Sequence, residues 1–217
     1  MALHLIDHPL AQDALMTLRD GDTAPAAFRV AAQRISLLLA AEALRALPSR
    51  PGTVTTPLGP ATGRVLAVDV TVVPVLRAGL GMLDGVLHLV PHASVGHIGL
   101  QRDETTAAAS QYYSRLPPGI GAGHVLMIDP MLATGGSAVA AIDLIKAAGA
   151  RSIAMLCIVC APQGLALLAS RHPDVDVFTP VVDQALDARK FIVPGLGDFG
   201  DRLYGTTASG DDGATPR

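Results

Sequence analysis

The chain has 217 residues, the size of one large domain; half are hydrophobic and 16% are charged, so intrinsic disorder is excluded and a large core is expected. A net charge of −3 and an aromatic content of 3% argue against a nucleic-acid-binding protein. Two cysteines are too few for a disulfide framework, which favours a cytoplasmic location.

The amino-terminal part of the chain is predicted to be helical from residue 10 to residue 47. Its main helix covers Ala26–Leu47, with Asp22 or Thr23 as the cap and Pro48 as the stop. β-Branched residues then flank a Gly/Pro turn, which predicts a hairpin arm over residues 53–68.

From residue 70 onward, apolar strands alternate with helices. This rhythm predicts an α/β fold with a doubly wound, mostly parallel five-stranded sheet, because parallel strands are covered on both faces and read as continuous apolar runs. The strands are expected at 70–76, 94–100, 125–128, 152–159 and 174–178, and the helices at 80–89, 137–148 and 165–170.

An uncharged run of nineteen residues, Ser152–Ser170, has the length of a membrane span. Pro162 and Gly164 interrupt it, so a strand, a turn and a helix explain it better. The amino-terminal residues lack a basic segment, and no targeting signal is expected. The sequence therefore predicts neither a membrane partner nor a nucleic-acid partner.

The third predicted strand leads through a glycine-rich turn into a helix. Adjacent Gly135 and Gly136 can turn backbone N–H groups toward an anion, and the helix terminus adds a positive dipole end. Asp129 at the strand end is placed to accept hydrogen bonds from a sugar. A plain turn capped by Ser137 is the alternative. The turn lacks the lysine of a GxxxxGK[ST] loop, so triphosphate hydrolysis is not indicated.

Three arginines follow the first two strands. Arg77 stands between the first strand and two glycines, where a guanidinium could hold a second anion. Residues 101–118 show weak periodicity and are predicted to form a lid that carries Arg102 and Arg115. A solvated loop with incidental charges is the alternative.

Glycine and proline recur among apolar residues over 191–202. The pattern indicates a backbone that lies close to a small planar ligand. Main-chain N–H and C=O groups could hydrogen-bond to the amide edge of such a ligand. Residues 207–217 are small and polar and are expected to fray.

Three motifs in this order resemble the uracil phosphoribosyltransferase family, a branch of the type I phosphoribosyltransferases. They are VPVLRAGLGMLDG at 73–85, DPMLATGGS at 129–137 and PGLGD at 194–198. The resemblance covers nearly the whole chain. It implies transfer of ribose 5-phosphate from phosphoribosyl pyrophosphate (PRPP) to N1 of uracil, giving UMP and diphosphate, with Mg²⁺ as cofactor.

The resemblance also implies roles for individual positions. The residues that would bind PRPP are Arg77, Arg102, Asp129, Pro130, Met131, Leu132, Ala133, Thr134, Gly135, Gly136, Ser137 and Asp198. Of these, Arg77, Arg102 and Asp198 would be catalytic. The uracil contacts fall on Ile192, Gly197, Asp198 and Phe199. No side chain is assigned as a metal ligand.

The family further implies a homodimer or homotetramer with the hairpin in the subunit interface, and GTP as a possible effector. One domain is expected over residues 1–206, with its base-binding segment at 181–206.

Two departures from the family pattern affect the base-binding segment. Phe199 stands where a small alanine is frequent, which could narrow the base pocket, and Arg189-Lys190 replaces a more neutral stretch. Two alternatives therefore stay open: phosphoribosyl transfer to another nucleobase, or a non-catalytic regulator that senses nucleotides and binds RNA.

Cys157 and Cys160 have CxxC spacing within an apolar strand. Strand geometry would point them to opposite faces, so they are expected to be buried core residues rather than joint metal ligands.

Overall fold

The computed structural model describes residues 1–102 and 109–206. The centre of the predicted lid (103–108) and the predicted tail (207–217) lie outside the described residues, as do the side chains of Arg102 and Ala109.

The chain begins with a short strand and two helices, β1 (Leu3–Leu5), α1 (Pro9–Arg19) and α2 (Pro25–Ala43). Both helices start with proline at the first helical position, where no N–H is needed. The predicted cap of α2 is wrong. Ala24 occupies that position without a side-chain hydrogen bond, because the Thr23 hydroxyl donates instead to the Thr17 carbonyl of α1, at 2.7 Å.

The predicted hairpin arm is present as β2 (Ser49–Thr56) and β3 (Gly59–Leu66). The two strands pair antiparallel from Ser49–Leu66 to Thr56–Gly59. Among the described residues the hairpin hydrogen-bonds as a two-stranded sheet of its own, and its apolar side chains at Val54, Leu58 and Val65 are exposed.

The rest of the chain alternates between strands and helices. Its elements are β4 (Val70–Leu76), α3 (Leu80–Leu89), β5 (Ser94–Val95), β6 (His97–Arg102), β7 (Ala109–Arg115), a 3₁₀ turn (Ile120–Ala122), β8 (His124–Ile128), β9 (Met131–Leu132), α4 (Gly136–Ala147), β10 (Ser152–Leu156), β11 (Val159–Cys160), α5 (Pro162–Arg171), β12 (Asp176–Thr179), β13 (Ala185–Leu186), β14 (Ile192–Val193) and α6 (Phe199–Tyr204).

The central sheet has the order β1-β12-β10-β8-β4-β6-β7, with β5 also paired to β4. The five predicted strands form its parallel middle, from β12 to β6. The sheet is wider than predicted because β1 adds a parallel edge at β12, and β7 adds an antiparallel edge at β6.

The segment predicted as a lid, residues 101–118, contains a strand that the sequence analysis did not include. Residues 109–115 are a strand, and the Tyr112 ring covers Gly99 of β6. Arg115 pairs with His97, the first residue of β6, so it lies at the amino end of a parallel strand. The phosphate loop lies at the opposite, carboxyl edge of the sheet.

Alternate strand residues face two separate apolar clusters, which confirms a sheet covered on both sides. Leu126 and Ile128 of β8 pack with α1, α2 and α3, whereas Val125 and Met127 pack with α4. No helix in the described ranges is both long and apolar enough to cross a membrane.

Candidate active site

A cavity of about 270 Å³ opens at the carboxyl edge of the sheet, beyond β8. It is lined by the turn into α4 and by two loops of the carboxyl-terminal segment: Asp129, Met131, Leu132, Ala133, Thr134, Gly135, Ser137, Ala138, Arg189, Lys190, Phe191 and Asp198. Ligands of open α/β sheets bind at this edge, so the cavity is the candidate active site.

The predicted phosphate loop is held from behind by β11. The N–H groups of Ile158 and Val159 both donate to the Pro130 carbonyl, at 2.9 and 3.0 Å, and Ala161 N–H donates to the Leu132 carbonyl at 2.9 Å. Pro130 is consequently buried behind the loop and is not among the residues that line the cavity.

Helix α4 begins at this loop without a side-chain cap. Its N-cap is Gly135, so the alternative of a turn capped by Ser137 is wrong. The first N–H groups of a helix have no partner within the helix, and together with the helix dipole they can form an anion site. The start of α4 therefore has the features of an anion site, as predicted for a phosphate.

Position 135 requires glycine, both for its backbone conformation and for the space around it. Its φ is +86°, and a Cβ atom there would lie 2.9 Å from the Gly164 carbonyl oxygen of α5. The close approach of α5 thus fixes the turn that brings the α4 terminus to the cavity.

Asp129 lies between β8 and this loop, half-buried and on the cavity wall. Its Oδ1 is 3.4 Å from the Met131 N–H, and its own N–H donates to the Leu156 carbonyl at 3.2 Å. The carboxylate is therefore held where it can accept hydrogen bonds from a sugar.

The loop Pro194–Asp198 is anchored by a buried ion pair that the sequence analysis missed. Arg19 of α1 contacts both carboxylate oxygens of Asp183, at 3.0 and 2.6 Å, and donates to the Gly195 carbonyl at 2.8 Å. Asp183 in turn accepts from the Gly195 N–H at 2.8 Å. A lone acid in the apolar run around Val181–Val182 is the sequence signal that could have indicated it.

Arg202 of α6 holds the same loop from its other side. Its guanidinium donates to the carbonyls of Leu18, Asp20 and Leu196 and lies 4.6 Å from the centre of the Phe28 ring. Burial lowers the pKa of Arg202. Two arginines therefore tie the predicted base-binding loop to α1.

The four residues predicted to contact uracil differ in whether they line the cavity. Asp198 lines the cavity and caps α6 by accepting from the Asp201 N–H at 2.8 Å. Ile192 is buried, and the fully buried Phe199 ring meets the Phe28 ring edge-on, with centroids 5.1 Å apart. The Phe199 ring thus fills the core and does not narrow the cavity. Gly197 is exposed beside Asp198.

Arg77 follows β4 at the same sheet edge but lies outside the cavity lining. Its guanidinium is exposed and 3.5 Å from Asp201, and its carbonyl accepts from the Tyr204 hydroxyl at 3.3 Å. Burial raises the pKa of Tyr204. The structure thus joins Arg77 to α6. The backbone of Arg102 ends β6, and its side chain lies outside the described part.

Cys157 and Cys160 are both fully buried, as predicted, but they do not face apart. The chain leaves β10 at Leu156 and re-forms β11 at Val159, so strict alternation is lost and both thiols lie in the apolar cluster on the α4 side of the sheet. The neighbouring Cys160 thiol and burial raise the pKa of Cys157. Cys160 also donates to the Val181 carbonyl, at 3.3 Å.

The described residues contain no group of three or more side chains able to hold a metal alone. The cavity does offer two carboxylates, Asp129 and Asp198, beside the phosphate loop. Mg²⁺ commonly binds through one or two carboxylates plus substrate phosphates and water, so these residues fit an ion that arrives with a phosphorylated substrate.

Nearly the whole chain is similar to proteins of one known family. The family model described as uracil phosphoribosyltransferase matches residues 5–206. The uracil phosphoribosyltransferase of Dictyoglomus thermophilum is 50% identical over 203 residues, which cover 93% of this chain and 98% of that protein. That of Thermus thermophilus is 48% identical over 207 residues, covering 95% and 100%.

A solved structure shows the same fold. The AQ2163 protein from Aquifex aeolicus superposes with a TM-score of 0.90 at 35% identity, covering 93% of this chain and 97% of that one.

Proposed function

Because the chain belongs to the uracil phosphoribosyltransferase family and is a pentosyltransferase of UMP salvage, we propose that the cavity beside Ala133–Ser137 is where it transfers ribose 5-phosphate from PRPP to N1 of uracil. The observation that carries this assignment is the uncapped start of α4 at Gly135, which offers N–H groups to a phosphate beside a carboxylate suited to ribose.

The reaction breaks the bond between the anomeric carbon and diphosphate and forms a bond from that carbon to N1 of uracil. Positive charge develops on the ribose ring and negative charge on the leaving group. Residues Ala133–Ser137 hold the 5-phosphate, and Asp129 accepts hydrogen bonds from the ribose hydroxyls. Fixing the ribose in this way brings its anomeric carbon to the base, which lowers the entropic part of the barrier.

The diphosphate side is assigned to Arg77 and Arg102, whose fixed positive charges would stabilise the departing anion. When bound, Mg²⁺ supplies further charge neutralisation on the diphosphate, with Asp129 and Asp198 as the carboxylates near it. For Arg77 this role requires its guanidinium to exchange Asp201 for the substrate, and its exposure permits that movement.

Uracil is assigned to the base-binding segment 181–206. The rigid loop Pro194–Asp198, held by Arg19 and Arg202, presents main-chain groups that can pair with the two carbonyls and N3–H of the base. Ile192 and Phe199 support this segment from the core and contribute backbone atoms.

The assembly is proposed to be a homodimer or homotetramer built through the hairpin β2–β3. An isolated two-stranded hairpin is marginal in water, and the exposed Val54, Leu58 and Val65 provide apolar surface for a second copy. GTP as an effector and the cytoplasmic location stay predictions from the sequence.

The assay that tests the function measures UMP and diphosphate formed from PRPP with uracil, cytosine, hypoxanthine or adenine as the acceptor. We expect turnover with uracil, and D129N should lower kcat/KM for PRPP about 10- to 100-fold, since a hydrogen bond to a charged group contributes about 1.5–3 kcal/mol. D22N, at an exposed site between α1 and α2, is the control. Turnover of another base without UMP formation from uracil would overturn the assignment.

A further inference from the structure

The turn between β13 and β14 carries two basic residues and is rigidly built. The Asp187 carboxylate accepts from the N–H groups of Arg189 and Phe191, at 2.9 and 2.8 Å, and the Asp187 carbonyl accepts from the Lys190 N–H at 3.0 Å. This network fixes the backbone that presents Arg189 and Lys190.

Lys190 is in a backbone conformation that favours glycine. Its φ is +71°, and within residues 1–102 and 109–206 it is the single non-glycine residue with a positive φ. A residue with a Cβ pays for this conformation, and such strain concentrates at functional sites.

The phosphate loop brings no charged side chain to balance the anion that the cavity is proposed to bind. Residues Ala133–Ser137 include no basic side chain, and Asp129 and Asp198 bring two negative charges to the same wall. Arg189 and Lys190 are the basic side chains of the described lining. Arg189 lies 5.3 Å from the centre of the Phe191 ring, which restrains its guanidinium beside the cavity.

We propose that Lys190, assisted by Arg189, binds the 5-phosphate of PRPP and of UMP from the side of the cavity opposite the Ala133–Ser137 loop. The inference deepens the proposed function and rests on it. It assigns this phosphate a lysine that the family motifs do not include, and it gives a functional reason for the strained conformation of Lys190.

The test measures Kd for ribose 5-phosphate and for UMP by titration calorimetry, at low and at physiological salt, with three variants. K190M removes the charge and keeps most of the side-chain length. K190G removes the charge and relieves the strain. R151M removes an equal charge from an exposed site just before β10, at the opposite edge of the sheet.

We expect K190M and K190G to bind both ligands about tenfold more weakly, with a smaller salt dependence than the wild type. K190G should melt at or above the wild-type temperature, because glycine suits a positive φ. R151M should bind like the wild type. A loss of binding without a loss of stability is the signature of a ligand contact.

Unchanged Kd values in K190M would overturn the inference. So would a higher KM for uracil with unchanged ribose 5-phosphate binding, since Lys190 would then contact the base. Failure of the proposed function is a separate result, in which the wild type forms no UMP from uracil although ribose 5-phosphate binding still depends on Lys190.

Discussion

Arg19 and Asp183 lie 164 residues apart in the sequence and meet as a two-point ion pair, with the Asp183 side chain only 4% exposed. Both partners also bind the backbone of Gly195, one through its carbonyl and the other through its N–H. A pair buried at this depth therefore joins α1 to the loop assigned to the base.

Removing one member of this pair should loosen that loop. R19M leaves Asp183 buried without its counter-charge, so we expect a loss of about 3–5 kcal/mol in the free energy of unfolding. KM for uracil should rise more than KM for PRPP, because the phosphate loop is held separately by β11. R19K, which keeps the charge, should recover part of both effects.

The matched control is R34M, which breaks the exposed pair with Asp13 and should cost at most about 1 kcal/mol. Urea denaturation and steady-state kinetics give the comparison. Equal increases in both KM values of R19M would show that Arg19 supports the fold without positioning the base loop.

Two neighbouring glycines should respond in opposite directions to alanine. G135A forces a side chain into a positive φ beside α5, so we expect a loss of at least about 1–2 kcal/mol and weaker PRPP binding. At Gly136 the nearest heavy atom to a new Cβ is Thr134 Oγ1, at 4.0 Å. G136A should match or exceed wild-type stability by up to about 1 kcal/mol, since alanine favours helices. Comparable destabilisation of both variants in urea would contradict this account.

Phe199 should prove to be a core residue and not a specificity residue. F199A leaves a hole beside Phe28, and we expect about 3–5 kcal/mol of destabilisation with an unchanged ratio of kcat/KM for uracil over cytosine. F191A should lose less stability, because Phe191 is 36% exposed. An altered base preference in F199A at a temperature where it remains folded would show that the ring reaches the cavity.

His124 should make the fold sensitive to acid. Its Nδ1 is 2.7 Å from the Ser152 hydroxyl, and its buried Nε2 has no partner among the described residues, so burial lowers its pKa. The unfolded chain then binds the extra proton more readily. The stability that neutral His124 contributes is therefore fully present above the unfolded-state pKa of about 6.5. It is lost as the pH falls below that value.

Melting temperatures from pH 7.5 to 5.5 check this sign. H124Q should lose less stability over that range than the wild type, whereas H92Q, at an exposed position, should follow the wild type. A steeper decline in H124Q would reverse the interpretation.

The sequence predicts local structure here better than it predicts distant contacts. The parallel strands are recovered because strands buried on both faces form continuous apolar runs, and the helix Leu80–Leu89 because it follows such a run after a glycine-containing turn. The strand β1 is only three residues long and is paired by β12, so its pattern carries too little information. Residues 110–115 are all exposed and show no apolar alternation, so their pattern does not predict the strand β7.

In the candidate site, too, the local features can be predicted from the sequence and the distant contacts cannot. The phosphate loop is predictable because all its groups lie within nine consecutive residues, 129–137. The Arg19–Asp183 pair and the inward direction of the Phe199 ring depend on tertiary packing between α1, α2 and α6, which spacing along the chain does not encode. The placement of Cys157 and Cys160 on one side of the sheet depends on a local break between β10 and β11.

The proposed recognition of phosphate through peptide groups has a consequence for which substitutions this enzyme can tolerate. Saturation mutagenesis followed by growth selection on uracil should recover many residue types at Ala133, whose assigned contribution is its backbone. At Gly135 the same selection should return glycine almost alone. The range of residues tolerated at each of these two positions would then depend on main-chain geometry and not on side-chain chemistry.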